Sequence, residues 1–483
     1  MLDHIIPVPK KAERGQGKLC LAKKVCSRVL EWEVYALTAV TSLSRMHFTD
    51  FETGEGGLVL EKDASLPEDS YTLTVEKDCA TLRASNFQGI CYAIATALQL
   101  CEYDAASDSF SAEVCRIEDW PDKEYRALML DLVSSWHPVD KVLRMMDVCF
   151  YEKVPYVHLH LIDNAACRFP SKTFPKLATP KYSYSEGDIA LICAYARERG
   201  LQLIPEVDIP GHAKQLTGIY GEVFGNQLPP DAQVEGTFNE TGGEIHVDEV
   251  ICAGSEACFE GVKALFDEIC ALFPDSEYIH IGGDEAFIRV WDFCPVCREY
   301  MEKNGIADRG ELYSDFVARV ARHVLSHGRT PIVWEGFPRA GADRIPKETV
   351  VIAWESYYNI APHLLEDGFR IINGSWQPLY IVYNAKRWTK ENIMDWSVNE
   401  WQHWWAFSKA RLNPIHVQDS EKLLGAQISI WGCNYENEVN SAIENLAAMN
   451  ERCWNLVRTT EEGPYHDRSD FMSRKLLRMI QDR

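Results

Sequence analysis

Residues 278–286 read YIHIGGDEA, an apolar run that ends in two glycines and two adjacent carboxylates. Neighbouring side chains along a strand point to opposite faces, so Asp284 and Glu285 can act on one substrate only where the strand has ended and the backbone turns. The glycines permit that turn. An acidic pair in a pocket is the usual arrangement for cleaving a sugar–oxygen bond. A solvated loop or a helix N-terminus, where acids are favoured, would also account for an isolated Asp-Glu pair.

The chain around this stretch alternates between short apolar strands and helical patterns. Helical apolar spacing is found at 139–152, 186–199, 310–327 and 438–453. Eight apolar strands alternating with helices over roughly 330 residues are typical of a closed (β/α)8 barrel. An open doubly wound sheet is the alternative, but no Gly-x-Gly-x-x-Gly motif follows an early strand, so dinucleotide binding is unsupported. The strands are predicted at 126–131, 156–162, 202–207, 278–281, 331–334, 350–354, 370–373 and 426–431.

The residues before the first of these strands are predicted to form a separate α+β domain. The run 71–75 alternates like a half-buried strand. The turn-forming sequence DWPD at 119–122 marks a boundary. The predicted fold class is therefore α/β, a (β/α)8 TIM barrel preceded by a small α+β domain. The predicted divisions are the small domain at 1–120, the barrel at 121–455 and a C-terminal tail at 456–483.

Composition and charge narrow the class of protein. The 483 residues are 46% hydrophobic and 25% charged, which supplies ample material for a globular core. A net charge of -23 argues against nucleic acid and anionic membrane surfaces as partners, because both select basic patches. No run approaches the apolar length of a membrane span, and no secretory signal is visible at the first residues. We therefore expect a cytoplasmic protein without a nucleic-acid or membrane partner.

The 16 cysteines are scattered without the spacing of a disulfide framework, which favours reduced thiols. Cys294 and Cys297 form one Cys-x-x-Cys motif, but no second pair lies at zinc-binding spacing. Two buried thiols at a loop or a helix start are therefore favoured over a structural zinc site. Neither a metal nor a cofactor is expected.

Nearly every predicted strand ends in an acid or a tryptophan. In a (β/α)8 barrel, the C-terminal ends of the strands carry the chemistry. Tryptophans converging on one rim would form an aromatic wall above an acidic floor. That arrangement suits sugars, because their C–H faces stack on aromatic rings while their hydroxyls bond to carboxylates. The strand ends supply Asp131, His160, Asp163, Asn164, Glu206, Asp208, His212, Asp284, Glu285, Trp334, Glu335, Trp354, Glu355, Trp376 and Trp431.

These motifs resemble those of glycoside hydrolase family 20, the β-N-acetylhexosaminidases. The resemblance runs from about residue 80 to residue 454 and includes part of the small domain. The matching motifs are YRALMLD at 125–131, HLHL at 158–161, PEVDIPGH at 205–212, HIGGDEA at 280–286, then Trp334, Trp354, Tyr380 and GAQ at 425–427 before Trp431. Several ordered motifs at barrel spacing are a specific signal.

The resemblance implies a retaining mechanism in which the sugar's own 2-acetamido oxygen attacks the anomeric carbon and forms an oxazolinium intermediate. It implies that Glu285 is the general acid and then the general base for water. Asp284 would orient the acetamido N–H. Tyr380 would hydrogen-bond the acetamido oxygen, with Tyr383 as its rival because the register of the motif is open there.

The resemblance also implies residues that bind the substrate. Trp334, Trp354 and Trp431 would wall the acetamido methyl group. Arg126 would hold sugar hydroxyls, or it could instead form a structural ion pair with Asp131. Asp208 and His212 would sit beside the catalytic pair and tune it, or they could simply satisfy buried polar groups at a strand end.

The sequence departs from the family pattern at residues expected to grip the sugar's outer hydroxyls. Asn164 stands where the family often has an acid, and Val382 replaces the acid of a Tyr-x-Asp motif. Cys433 replaces the acid of a Trp-x-Glu motif, although Glu436 could reach in from one turn onward. The Ser-Arg-His run after the first strand reads VSS at 133–135. The residues implied to act on the acetamido group are retained, while those expected to bind the sugar's outer hydroxyls are altered.

The leading hypothesis is a cytosolic exo-β-N-acetylhexosaminidase acting on terminal GlcNAc or GalNAc of an oligosaccharide or glycoconjugate. A catalytically weak sugar-binding protein on the same scaffold is the second. A relative that releases a modified hexosamine or a disaccharide is the third. The intact Asp284-Glu285 pair favours catalysis, and the missing acids favour the other two. The oligomeric state stays open.

Overall fold

The computed structural model describes most of the chain. The described residues are 1–22, 25–29, 51–53, 57–104, 109–232, 234, 237–238, 244–245, 247–382, 388–458 and 462–481.

Eight parallel strands close into a barrel, which confirms the predicted fold class. They are labelled β1 to β8 in chain order, each pairs with its neighbours in sequence, and the pairing of β7 with β8 and of β8 with β1 completes the ring. The predicted second strand is shorter than expected, because residues after His160 turn into a small hairpin of Ile162–Asp163 with Ala166–Cys167. The strands are β1 Tyr125–Asp131, β2 Tyr156–His160, β3 Gln202–Ile209, β4 Tyr278–Gly282, β5 Thr330–Trp334, β6 Val350–Ala353, β7 Arg370–Asn373 and β8 Leu423–Trp431.

Helices cover the outside of the barrel and bury its apolar outer face. A short strand, Tyr380–Val382, follows β7 and adds to β8 in parallel. Two further short pairs join Thr237–Phe238 to Glu244–Ile245 and Glu400–Trp401 to Ile415–His416. The α-helices from β1 onward are Val139–Tyr151, Glu186–Glu198, Lys214–Ile219, Gly221–Phe224, Glu256–Leu272, Pro295–Asn304, Arg309–Ser326, Ala361–Glu366, Trp376–Leu379, Lys390–Asp395 and Tyr435–Trp454. Single 3-10 turns lie at Val247–Glu249, Ile288–Asp292 and Ala342–Arg344.

The described residues before β1 form a mixed sheet, and the helix Phe87–Leu100 lies against it. The helix Phe87–Leu100 is capped by Asn86, whose side chain accepts the Gly89 N–H, and it packs on the strands that precede it. The first turn of the chain, Leu2–His4, is a 3-10 helix. Neighbouring strands in the sheet are, in order, Lys11–Ala22, Ser109–Asp119, Tyr71–Val75, Ala80–Ala84, Leu58–Lys62, Val25–Val29 and Phe51–Thr53, with Glu102–Asp104 beside Ser109–Asp119.

Side chains that point into the barrel lie in layers. Tyr125, Tyr156 and Tyr278 close its N-terminal end, with the rings of Tyr125 and Tyr156 stacked at 4.7 Å. Above them is a layer of buried histidines and Glu206, and the acids predicted from the sequence lie above that. The polar layers therefore face the C-terminal ends of the strands, where the family of barrel folds places its sites.

The segment predicted as a C-terminal tail contains a helix, Glu462–Gln481. Its face buries Tyr465, Met472 and Leu476, and the Lys475 ammonium donates to the carbonyls of Leu98, Gln99 and Cys101 at the end of the helix Phe87–Leu100. The segment thus packs against the small domain. Within the described ranges, the helices are too short or too polar to cross a bilayer.

Candidate active site

The acidic pair lies at the C-terminal end of β4, in a turn that only glycine allows. Gly282 and Gly283 have φ values of 70° and 94°, and a Cβ on Gly282 would lie 2.0 Å from the Asp208 carboxylate. Glu285 itself has a φ of 41°. Non-glycine residues rarely adopt that region, so the surrounding structure must hold it. The turn brings the carboxylates of both Asp284 and Glu285 next to the His212 ring.

Asp284 and Asp208 form a buried carboxyl pair. Asp208 is 1% exposed and Asp284 is 6% exposed, and each carboxyl shifts the pKa of the other. Burial is the main cause that raises the pKa of Asp284 to about 7, and the His212 cation opposes it. Burial and the charge of Asp284 raise the pKa of Asp208 well above its usual range. Because two adjacent buried carboxyls resist ionising together, the pair keeps a proton to higher pH than an isolated aspartate would.

His212 connects this pair to Glu285. Its Nδ1 lies 3.1 Å from Asp163 Oδ1, and its Nε2 lies 3.4 Å from Glu285 Oε2 and 3.8 Å from Asp284 Oδ2. Burial alone would lower the pKa of His212, but the charges of Asp163, Asp208 and Asp284 outweigh it and raise that pKa well above the usual value. His212 is therefore an imidazolium at neutral pH, with both ring nitrogens as donors.

Asp163 and His160 are part of this network, and the sequence analysis assigned them no role. The charges of His212 and His160 overcome burial and lower the pKa of Asp163 far below its usual range. The His160 ring bonds to Glu206, which also accepts Trp334 Nε1 at 2.6 Å. Asp163 thus holds the His212 ring through Nδ1, as a carboxylate orients the catalytic histidine in other enzymes. The HLHL motif was the available signal, because both histidines face inward from β2.

Aromatic rings surround the opening above the acids. Trp334 lies 6.3 Å from both Trp354 and Trp431, measured between ring centroids. Tyr380 stacks on Trp354 at 5.9 Å and on Trp376 at 5.0 Å. The three predicted tryptophans are therefore brought together, and Trp376 joins them. Such a wall fits a small apolar group next to polar atoms.

Tyr380 begins the short strand beside β8, where Tyr380 pairs with Ser429 and Val382 pairs with Trp431. This register puts the Tyr380 ring among the tryptophans of the wall. Its rival Tyr383 lies outside the described residues. Tyr380 stays the predicted tyrosine of the site.

The predicted role of Arg126 is wrong. Arg126 is the second residue of β1, at the N-terminal end of the barrel, and its neighbours Tyr125 and Ala127 are the ones that point inward. The Arg126 guanidinium is fully buried outside the barrel and donates to Tyr92 Oη at 2.6 Å and to the Lys153 carbonyl at 3.2 Å. Its alternative partner Asp131 instead accepts the N–H groups of the loop that follows it. Arg126 matched the family motif by residue type, but the alternation of side chains along β1 points it out of the barrel and away from the site.

Two further predicted contacts fall outside the pocket. The Glu436 side chain is 67% exposed and lies 3.4 Å from the Lys141 ammonium, so it does not replace the acid missing at Cys433. The Asn164 side chain accepts the Lys214 N–H at 3.1 Å and ties its loop to the helix after β3. Both side chains therefore contact neighbouring elements of the fold, namely the helix after β3 and the helix after β1.

Glu438 lies two residues beyond Glu436 on the same helix, and its side chain is buried. Its carboxylate lies 2.7 Å from His137 Nε2, and both side chains are 1% exposed. Tyr313 is a second residue that the sequence did not indicate. Burial and then the charges of Asp284 and Asp208 raise the pKa of Tyr313 well above its usual value. These positions emerge only from tertiary packing.

The comparisons with known proteins point to one family. Residues 124–456 match the model described as "Glycosyl hydrolase family 20, catalytic domain", and residues 3–120 match "Glycosyl hydrolase family 20, domain 2". The chain is 27% identical over 455 residues to a beta-hexosaminidase of Vibrio furnissii, which covers 88% of this chain and 72% of that protein.

A mammalian relative and a solved structure agree with that match. The chain is 27% identical over 414 residues to the beta-hexosaminidase subunit beta of Rattus norvegicus, which covers 82% of this chain and 71% of that protein. The fold is similar to the crystal structure of an exo beta-N-acetylglucosaminidase from Vibrio harveyi bound to N-acetylglucosamine. That likeness has a TM-score of 0.83 at 23% identity and covers 99% of this chain and 78% of the other.

Proposed function

Because this chain belongs to glycosyl hydrolase family 20, we propose that it is an exo-β-N-acetylhexosaminidase. Its substrate would be a terminal, β-linked N-acetylglucosamine or N-acetylgalactosamine on an oligosaccharide or glycoconjugate. One arrangement supports this most directly. Asp284 lies beside Asp208, Glu285 lies beside the protonated His212, and Trp334, Trp354 and Trp431 pack together at the same end of the barrel.

The first step forms a ring from the substrate itself. Glu285 gives its proton to the glycosidic oxygen, the bond from that oxygen to C1 breaks, and the aglycone leaves as an alcohol. The acetamido oxygen attacks C1 from the opposite face, so no bond to the protein forms. Asp284 accepts the acetamido N–H and balances the positive charge of the oxazolinium. Tyr380 donates its hydroxyl to the acetamido oxygen and aims it at C1.

The second step reverses the proton transfer. The Glu285 carboxylate takes a proton from water, and the water oxygen bonds to C1 and opens the ring. Two inversions at C1 give net retention. The His212 cation stabilises Glu285 while it is ionised, and Asp163 keeps that cation in place. Trp334, Trp354 and Trp431 enclose the acetamido methyl group and keep water from its face.

Inhibition by an analogue of the intermediate tests the mechanism. A thiazoline analogue of the oxazolinium should inhibit strongly, and aryl β-glucosides, which carry no internal nucleophile, should be very poor substrates. A sugar–enzyme ester trapped on a carboxylate would contradict this mechanism. Binding of the thiazoline without turnover of any hexosaminide would instead favour a catalytically weak sugar-binding protein.

Val382 and Cys433 support a second candidate, a hydrolase that tolerates modified hexosamines. Val382 replaces a carboxylate beside Trp431, and Glu436 does not compensate. An anionic group such as a 6-sulfate would meet no repelling charge at that position. Comparing kcat/KM for GlcNAc, GalNAc and 6-sulfo-GlcNAc aryl glycosides, with and without Val382→Asp, tests this. Unchanged ratios, with a strong wild-type preference for unmodified GlcNAc, would leave only the first candidate.

We also place the protein in a reducing compartment such as the cytoplasm. Fifteen cysteines whose side chains the structure describes are free thiols, and most of them are buried. Proteins in oxidising compartments more often pair such residues.

A further inference from the structure

Three buried thiols meet between the loops that follow β3 and β4. Cys252 lies just before the helix Glu256–Leu272, and Cys294 and Cys297 lie at the start of the helix Pro295–Asn304. All three are at most 1% exposed. Cys252 is 42 residues from Cys294 in the chain, so no local spacing indicates that the three belong together.

The distances between the sulfurs fit a shared ion. Cys252 Sγ lies 3.7 Å from Cys294 Sγ and 3.6 Å from Cys297 Sγ, and all three sulfurs lie within 4.8 Å of one another. Thiolates at the usual zinc–sulfur distance of about 2.3 Å in a tetrahedron are about 3.8 Å apart. A disulfide would need about 2.05 Å. Three thiols also cannot all be satisfied by one disulfide.

A turn of the backbone follows each of the first two cysteines. The Ser255 N–H donates to the Cys252 carbonyl at 3.2 Å, and the Arg298 N–H donates to the Cys294 carbonyl at 3.1 Å. Gly254 lets these turns touch, since a Cβ there would lie 2.6 Å from the Cys297 Cα. Any other residue at 254 would force the two loops apart.

We propose that Cys252, Cys294 and Cys297 bind one structural zinc ion as thiolates. Zinc is the metal of choice because tetrahedral sulfur sites without redox chemistry are its usual protein sites. Each thiol gives its proton to solvent on binding. The Asn226 side chain supplies a candidate fourth ligand: Oδ1 lies 4.0 Å from Cys297 Sγ, while Nδ2 donates to the Val250 carbonyl at 2.7 Å. Water is the alternative in that position.

The ion would cross-link the two loops that carry the catalytic network. The Ile251 N–H donates to the Pro210 carbonyl at 3.1 Å, two residues before His212. Trp291 Nε1, in the turn after Glu285, donates to the Ile251 carbonyl at 2.9 Å. Fixing Cys252 to Cys294 therefore fixes the separation of His212 from Glu285. This consequence rests on the proposed function, but binding of zinc does not.

Metal content tests the site without any substrate. Elemental mass spectrometry of protein purified without a chelator should find close to one zinc ion per chain. Cys252→Ser, Cys294→Ser and Cys297→Ser should each lose most of it. Cys270→Ser should keep it, because Cys270 is a buried thiol of the same helix region outside the cluster. A thiol-modifying reagent should release the zinc of the wild type to a colorimetric chelator.

A second measurement covers variants that fail to fold. Wild-type protein stripped with a chelator should melt several degrees lower, and zinc but not magnesium should restore the Tm. Replacement by Co²⁺ should give the absorption bands of tetrahedral cobalt–thiolate. Protein that holds no zinc after zinc supplementation and melts at the same temperature with and without it would overturn the proposal. So would a disulfide among the three cysteines in denatured, unreduced protein.

Discussion

The two ends of the barrel both bury charges, but they satisfy them differently. At the N-terminal end, the Asp119 carboxylate accepts Tyr71 Oη at 2.8 Å and Trp454 Nε1 at 2.8 Å, with the Lys153 ammonium 3.7 Å away. Arg126 beside it donates to four acceptors. At the C-terminal end, four carboxyl groups cluster around His212, namely those of Asp163, Asp208, Asp284 and Glu285.

The difference indicates that the N-terminal end is a structural joint between the barrel and the small domain, and that the C-terminal end is the active site. Opposite charges linked by hydrogen bonds, as at Asp119 and Lys153 through Tyr71, hold the small domain and the barrel together. Adjacent carboxyls, as at Asp208 and Asp284, raise the free energy of the folded protein when both are ionised. Proteins tolerate such an arrangement where it shifts pKa values for chemistry. Removing a residue at the joint should therefore reduce stability, and removing one at the site should reduce activity.

Glu285→Gln should cause the largest loss of activity. The amide cannot give a proton to the leaving group, and general acid catalysis contributes about two to four orders of magnitude. Turnover of an unactivated disaccharide should fall by that amount, with a smaller loss for an activated aryl glycoside. The melting temperature should hold. Glu436→Gln, an exposed acid on the same face, is the matched control and should match wild type in both assays. Full activity on the disaccharide would exclude Glu285 as the acid.

Arg126→Met should give the reverse pattern. It leaves buried acceptors, including Tyr92 Oη and the Lys153 carbonyl, without a donor, and it should lower the free energy of unfolding by about 3–5 kcal/mol. The folded fraction should keep the wild-type kcat/KM. Denaturant unfolding and kinetics on the same sample measure both. If the variant does not fold, Tyr92→Phe removes one of these bonds at about 1 kcal/mol. A raised KM at full stability would return Arg126 to the sugar-binding role.

Asp284→Asn should lower turnover and raise stability. The folded pKa of about 7 exceeds the unfolded value, so the unfolded chain releases its proton at lower pH than the folded one. The wild-type protein therefore loses folding stability as the pH rises from about 4 to about 7. The uncharged Asn side chain of the variant removes that loss. At pH 7.5 the free energy of unfolding of the variant should exceed that of the wild type by about 1–2 kcal/mol. This is less than the whole pKa shift would give at about 1.4 kcal/mol per pKa unit, because Asp208 and Asp284 titrate together. Thermal melts at both ends of that range should show the gain only at the higher pH.

The sequence predicted features that depend on short-range pattern. The barrel strands follow from apolar runs, and Asp208, His212, Asp284 and Glu285 follow from strand ends. What failed needed three-dimensional information. Strand alternation turned Arg126 outward.

Long-range packing decided the remaining positions. On one helix, burial selected Glu438 over Glu436, because only the former faces His137. Cys252 joins the Cys-x-x-Cys motif through a contact between two loops, which a search along the chain for paired spacing could not find.

His212→Gln should have the smallest effect and the most informative one. Glutamine keeps a donor toward Asp163 or Glu285 but carries no charge. The His212 cation lowers the pKa of Asp284, so its removal should raise that pKa further, and Asp284 must be ionised to accept the acetamido N–H. The acidic limb of the kcat/KM profile should therefore move to higher pH by about one unit, the lower end of the effect of an adjacent opposite charge. Near pH 8.5 most activity should return. A loss of kcat/KM by the same factor at every pH would mean that His212 only positions its neighbours. The charge of His212 would then not be what distinguishes the C-terminal end of the barrel from the N-terminal end.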